Sequence, residues 1–146
     1  MNGYLRRATE TDIDLLFQWV NEQTVRRNAF STAEITYEEH VKWYKKTLSR
    51  SDCRQYIYMS GNEAIGQIRL TINEDEAEID YSICLEKRGM GYGKQMLSLL
   101  RMQVKQDFPN IRRLIGKVKP ENLASQKAFV SMGYEEKYRV FEMEIE

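Results

Sequence analysis

Apolar positions along the chain change period several times, and each change predicts an element. Residues 4–7 are short and partly apolar, as a first strand would be, and Thr9-Glu10-Thr11-Asp12 has the spacing of a capping box that opens a helix. Ile13, Leu16, Phe17 and Val20 then recur at helical spacing and share one face. Thr36-Tyr37-Glu38-Glu39 repeats the capping logic ahead of a second helix over residues 37–48, with Val41, Tyr44 and Leu48 three and four residues apart. Between the two, the polar and aromatic residues 21–35 make too long a stretch for a simple connection, and such loops often bind something.

Three β-like runs follow, over residues 55–60, 64–72 and 77–85, separated by Gly61-Asn62 and Glu74-Asp75; they predict an antiparallel meander. In the third run Glu78, Asp80 and Ser82 share one face and Ile79, Tyr81 and Ile83 the other, because side chains alternate along a strand. Past a glycine cluster, Met96, Leu97, Leu100 and Val104 give a helix up to Pro109, and residues 114–118 a further strand. Residues 122–132 read as a short helix stopped by Gly133. The last run, residues 134–145, alternates through Tyr138 and Val140 and then shifts phase to Phe141, Met143 and Ile145, which predicts a strand with a β-bulge.

With 146 residues and no linker, low-complexity tract or internal repeat, the chain is expected to form one domain, residues 1–146, with a core that needs no staple. The charges balance at 22 basic and 22 acidic residues, which argues against nucleic acid or an acidic membrane as a partner. Cys53 and Cys84 form no Cys-x-x-Cys pair and His40 is the single histidine, so no metal site and no disulfide framework is expected. Residues 1–10 carry charges and no apolar h-region, and no long apolar run occurs, so a cytoplasmic location is the expectation.

Arg88-Gly89-Met90-Gly91-Tyr92-Gly93, followed by Lys94, sits between a predicted strand and an amphipathic helix. Glycines there let the backbone approach a ligand, and the free amides at the helix start attract an anion such as a pyrophosphate. It is neither a P-loop, since Gly93-Lys94 is followed by Gln95, nor a dinucleotide fingerprint, since Lys94 stands where a small residue is required. The second segment with candidate chemistry runs from Asn122 through Ser125 and Phe129 to Gly133-Tyr134.

Arg88, Gly91 and Gly93 match the pattern Arg/Gln-x-x-Gly-x-Gly/Ala. Asn122, Ser125, Phe129, Gly133 and Tyr134 match a second pattern, Asn-x-x-Ser/Ala-x-x-x-Tyr/Phe-x-x-x-Gly-Phe/Tyr, in the same order along the chain. Together they resemble the GNAT family of acyl-CoA N-acyltransferases. The resemblance implies an α+β fold: a mixed, mostly antiparallel central sheet splayed between two parallel strands, with helices on both faces. It also implies acetyl-CoA as cofactor, its pyrophosphate over the amides of Arg88, Gly89, Met90, Gly91, Tyr92, Gly93 and Lys94. The pantetheine arm would pair with the backbone of Ile83, Cys84 and Leu85, and Asn122, Ser125 and Phe129 would line the same site.

The reaction so implied is attack of a neutral amine on a thioester, which needs a base for the ammonium proton and donors for the developing oxyanion. Glu78, Asp80 and His40 are the candidate bases. Many members of the family have Tyr where Phe129 stands; its hydroxyl protonates the departing thiolate, so here Tyr134, Tyr138 or solvent must do so. The N-terminal half, from Trp19 to Trp43, looks like the subgroup that acetylates the 4-amino group of UDP-linked 4-amino-4,6-dideoxy sugars in pseudaminic and related nonulosonic acid pathways. On that reading Arg26, Asn28, Phe30, Trp43 and Tyr81 hold the acceptor, the aromatics on a base or sugar methyl and Arg26 on a diphosphate. The alternatives are acetylation of a protein's N-terminal alanine and a non-catalytic acetyl-CoA-binding module; a homodimer is compatible with either.

Overall fold

The computed structural model describes residues 3–145. Strand β1 (Gly3–Arg7) leads through a 3-10 turn (Glu10–Asp12) into α1 (Ile13–Val20), then α2 (Gln23–Asn28) and α3 (Tyr37–Ser49). Both expected caps form: the Asp12 carboxylate accepts from the Thr9 amide at 2.8 Å, and Thr36 Oγ1 accepts from the Glu39 amide at 3.2 Å. Helix α2 interrupts the stretch expected to be loop. Its six residues carry no apolar face; Glu22 starts it, the carboxylate accepting from the amides of Thr24 and Val25.

The meander follows as β2 (Cys53–Ser60), β3 (Glu63–Asn73) and β4 (Glu76–Ile83). A 3-10 turn (Leu85–Lys87) carries the chain from β4 to α4 (Tyr92–Asp107), β5 (Arg113–Gly116) and α5 (Leu123–Ser131). The strands lie in sequence order, antiparallel from β1 to β4, with β5 parallel to β4. This is the α+β architecture implied by the resemblance, with helices on both faces.

The alternation along β2 sorts the two cores. Tyr56 and Tyr58 point to one face, where with Ile68, Leu70, Ala77 and Ile79 they pack under Met96, Leu97, Leu100 and Val104 of α4 and Ala128 and Phe129 of α5. Ile57 and Met59 point to the other, against Leu16 of α1 and Tyr44 of α3. Both cysteines are buried free thiols.

Two C-terminal expectations differ from the structure. Strand β5 ends at Gly116, short of the expected residue 118. Residues 134–145, expected to be a bulged strand, form none; a period-2 pattern becomes a strand only when paired with a partner edge, and this segment pairs with none among the described residues.

Candidate active site

Strand β4 is paired with β5 along half its length. The register runs from Glu76 opposite Arg113 to Ile79 opposite Gly116, and there it stops, while β4 continues to Ile83 with only β3 beside it. The gap opens at Gly116, which lies directly under the Phe129 ring with no room for a Cβ. A wedge with unpaired strand backbone on one side is thus built where the acyl donor is expected.

The glycine loop closes the wide end of this wedge. Gly89 and Gly91 have φ of +77° and +82°, and a Cβ at either would meet nothing within 4 Å, so conformation rather than crowding calls for glycine there. Gly91 begins the sixteen-residue α4 without a side-chain cap, leaving the first amides of that helix available to an anion. Met90 and Lys94 are exposed, whereas Tyr92 packs edge-on against Tyr58 at 6.0 Å.

Arg88 turns inward. Its Nε donates to the Ile83 carbonyl at 3.0 Å and its Nη1 to Glu22 Oε1 at 2.8 Å. Glu22 therefore caps α2 and latches it to the glycine loop, and the Arg88 guanidinium, with the two α2 amides, holds its carboxyl down at about 2. No motif marked Glu22; its signal was an acidic residue ahead of a short polar segment.

The backbone expected to pair with a pantetheine arm is already engaged in part. The Cys84 amide donates to the Ile65 carbonyl, and the carbonyls of Ile83, Cys84 and Leu85 accept from Arg88 Nε and from the amides of Lys87 and Arg88. Each carbonyl keeps a second lone pair, and the side of β4 facing away from β3 is open from Asp80 to Ile83.

Asn122 Oδ1 caps α5 through the Ser125 amide at 3.3 Å, and the hydroxyls of Ser125 and Tyr81 share a hydrogen bond of 3.0 Å across the wedge. Tyr81, expected in the acceptor set, thus stands on the α5 side of the sheet, edge-on to Phe129 at 5.7 Å and 3.7 Å from where a Cβ on Gly93 would lie. Tyr134 meets Phe129 from the other side at 4.9 Å. Burial pushes both phenols up, Tyr134 to about 12, so both hydroxyls stay protonated at neutral pH. Tyr138 lies outside this cluster, mostly exposed on the C-terminal arm.

The opposite face of β4 is polar. Glu78 pairs with Lys117 at 2.7 Å and Asp80 with Arg69 at 3.2 Å, and the Arg69 guanidinium lies 4.8 Å from the centre of the Trp43 ring. Beside them Gln55 donates to Gln67, which donates to Ser82. A cavity of about 230 Å³ opens where this face meets the α1–α2 turn, lined among others by Trp19, Glu22, Ser82 and Cys84. Neither Trp19 nor Arg69 was marked as a site residue.

Four expected site residues are elsewhere or otherwise occupied. His40 is 2% exposed, its Nε2 donating to the Ile13 carbonyl at 2.9 Å and its ring stacked on Tyr44. Burial lowers its pKa, and it serves to join α1 to α3 rather than to reach an acceptor. Arg26 donates to the carbonyls of Val20, Ser31 and Ala33, so its guanidinium shapes residues 29–35 instead of meeting a diphosphate. Asn28 and Phe30 line neither the 230 Å³ cavity nor the groove of about 500 Å³ beside Arg26 and Arg27.

The sequence profile of the acetyltransferase (GNAT) domain matches residues 4–135. The chain belongs to the GNAT acetyltransferase family. Among solved structures, this GNAT protein is similar to spermidine N-acetyltransferase from Vibrio cholerae in complex with CoA and spermine, at 20% identity and a TM-score of 0.85 over 99% of this chain and 88% of that one. It is similar to AAC(6')-Ib in complex with ribostamycin and coenzyme A, at 20% identity and a TM-score of 0.84 over 94% of this chain and 85% of that one. The ribosomal L7/L12 alpha-N-protein acetyltransferase RimL, in complex with coenzyme A, follows at 22% identity and a TM-score of 0.78, covering 91% and 80%. At such identities these likenesses concern the fold. A search of curated protein sequences returns no significant match.

As a GNAT enzyme the protein is an acetyl-CoA-dependent N-acetyltransferase. The residues present fit that cofactor: a left-handed glycine loop with open space over it, uncapped amides at the start of a long helix, and a strand edge left free beyond Ile79. No helix among the described residues is long and apolar enough to cross a membrane.

Proposed function

We propose that the acceptor is the primary amine of a nucleotide-linked 4-amino-4,6-dideoxy sugar, acetylated in the cytoplasm by a single-domain enzyme. The observation that carries an amine acceptor is the polar face of β4. Its unpaired half presents Asp80 and Ser82 on the side away from the tyrosines, beside a cavity that reaches the glycine loop. Trp43, its ring centre 4.8 Å from the Arg69 guanidinium, supplies apolar surface for a base or a sugar methyl. Arg26 sets the loop that carries Phe30.

Bound acetyl-CoA supplies an acetyl group already activated as a thioester. The chain's own residues divide the remaining work between the two faces of β4. Asp80, paired with Arg69, and Glu78, paired with Lys117, take the acceptor's ammonium proton, directly or through water. On the other face, Tyr134 and solvent are the proton sources for a thiolate, and the Glu22–Arg88 latch holds the glycine loop against the acceptor layer. The 3.0 Å hydroxyl pair of Tyr81 and Ser125 holds the N-terminus of α5 to β4.

The test is thiol release from acetyl-CoA with the UDP-linked amino sugar, a peptide with a free N-terminal alanine, and spermidine offered separately. Release with the sugar alone is the expected result, with Trp43→Ala raising KM for the sugar and leaving KM for acetyl-CoA unchanged. Release with the peptide or the polyamine alone overturns the sugar and leaves the cofactor site standing. Acetyl-CoA binding with no turnover on any amine overturns catalysis.

A further inference from the structure

The throat of the wedge carries an amine of its own. Ile79 and Gly116 are the last residues at which β4 and β5 pair, so Asp80 and Lys117 come first on its two banks. Gly116 faces the Phe129 ring on the α5 side, and alternation sends the next side chain to the opposite, polar face of the sheet. There Lys117 Nζ lies 2.7 Å from Glu78 Oε1. The other lysine on this bank, Lys119, donates instead to the Arg27 carbonyl at 3.0 Å and is tied to the last turn of α2. Lys117 thus presents a primary ammonium to one of the two carboxylates proposed as bases, in the layer that an acceptor amine must enter.

The pair is loosely held. Its side chains are 56% and 47% exposed, and an ion pair so open to water contributes little, so the flexible four-carbon stem of the lysine is free to carry the amine off Glu78 and over the throat. An acyl-carrying arm with its phosphates over the glycine loop and its amides along the open edge of β4 runs from Leu85 toward Asp80 and brings its acyl end to the same place. An amine reaches that end from the polar face, because Tyr81 and Phe129 fill the other.

We propose that Lys117 is an internal acceptor: with acetyl-CoA bound and no acceptor amine in place, the chain acetylates its own Lys117. This rests on the reading of Glu78 as a base, and not on the identity of the acceptor. Glu78 takes one proton from the ammonium; the freed lone pair of Nζ attacks the thioester carbonyl, the N–C bond forms and the C–S bond breaks. A second proton passes from nitrogen through solvent to the departing thiolate, which leaves as the thiol, and Lys117 keeps the acetyl group as a neutral amide. The same carboxylate holds the ammonium's pKa above its ordinary value, so neutral amine is scarce and the reaction is slow. The product carries no charge, and Glu78 loses its cation.

Mass spectrometry of the full-length protein incubated with acetyl-CoA alone tests this. The expected result is the gain of one acetyl group per chain, mapped by proteolysis to Lys117, at a rate independent of protein concentration and about tenfold or more above that of the exposed Lys45. Lys117→Arg should abolish the gain and Glu78→Gln should slow it by about tenfold or more, both with the far-ultraviolet circular dichroism of the wild type. A readout without an acetyl donor checks the placement: CoA should protect Lys117, and not Lys45, from an amine-reactive ester. Acetyl groups spread evenly over exposed lysines, a rate that rises with protein concentration, a rate unchanged in Glu78→Gln, or no protection by CoA overturns the internal acceptor. Turnover of the UDP-linked sugar with Lys117 left unmodified in its absence overturns it too and leaves the proposed acceptor standing. Acetylated Lys117 with no turnover of any offered amine supports it and overturns the sugar.

Discussion

The two halves of β4 make the most instructive contrast in the molecule. From Glu76 to Ile79 the strand has neighbours on both sides, and Ala77 and Ile79 are buried under α4 and α5. From Asp80 to Ile83 it has β3 alone; Tyr81, Ser82 and Ile83 are half-buried and one row of backbone groups is open. The residues alternate in the same way throughout, so the difference comes from the neighbour and not from β4 itself. A four-residue β5 ending in glycine under a phenyl ring turns an ordinary central strand into one wall of a binding wedge.

Removing the wedge's hinge should have the largest effect. Phe129 is 8% exposed and touches Gly116, Tyr81 and Tyr134, so Phe129→Ala should cost about 3–5 kcal/mol in urea unfolding and abolish acetyl-CoA binding with it. Gly116→Ala attacks the same contact from the strand side. Its methyl group must displace the ring, which should cost roughly 1–3 kcal/mol, and a cofactor affinity untouched by that change would show that the wedge does not depend on this contact.

The latch at the wide end gives a pH dependence. The folded Glu22 carboxyl sits at about 2, below its ordinary 4.5, so unfolded chains take up the proton first as pH falls. The stability it contributes is complete above about 4.5 and is lost between there and about 2. Wild-type protein should therefore lose roughly 1–2 kcal/mol more than Glu22→Gln over that interval, read from urea midpoints at successive pH values. Equal losses would remove Glu22 from the account. The smallest effect is expected at Asn122→Ala, where loss of the α5 cap should cost about 1 kcal/mol; a KM for acetyl-CoA that also rises would sharpen the contrast by tying the cap to the open half of β4.

Local signals were the ones legible beforehand. The capping residues at Thr9 and Thr36, the helical faces of α1, α3 and α4, the meander and the glycine loop all follow from dihedral preference and period, which a few neighbouring residues define. Helix α2 was not legible because its hold is external: Glu22 caps it, Arg88 fixes Glu22, and Arg26 gathers the loop behind it. The C-terminal arm shows the converse, a clear β period that pairs with no strand among the described residues. His40 and Arg26 were candidates because an imidazole can take a proton and a guanidinium can meet a diphosphate; carbonyls of Ile13, Val20, Ser31 and Ala33 claim them instead.

By itself the sequence determined the order and type of most elements, the left-handed turns of the glycine loop, and membership in a family that uses acetyl-CoA. Each is a property of short segments, set by backbone sterics and by the spacing of apolar residues. The tertiary structure alone decided where β4 loses its neighbour, that Glu22 meets Arg88, and that Tyr81 and Asp80 serve opposite sides of one strand. Those are meetings of groups far apart in the chain. They depend on which surfaces are brought together when apolar faces are buried, and no local pattern records them.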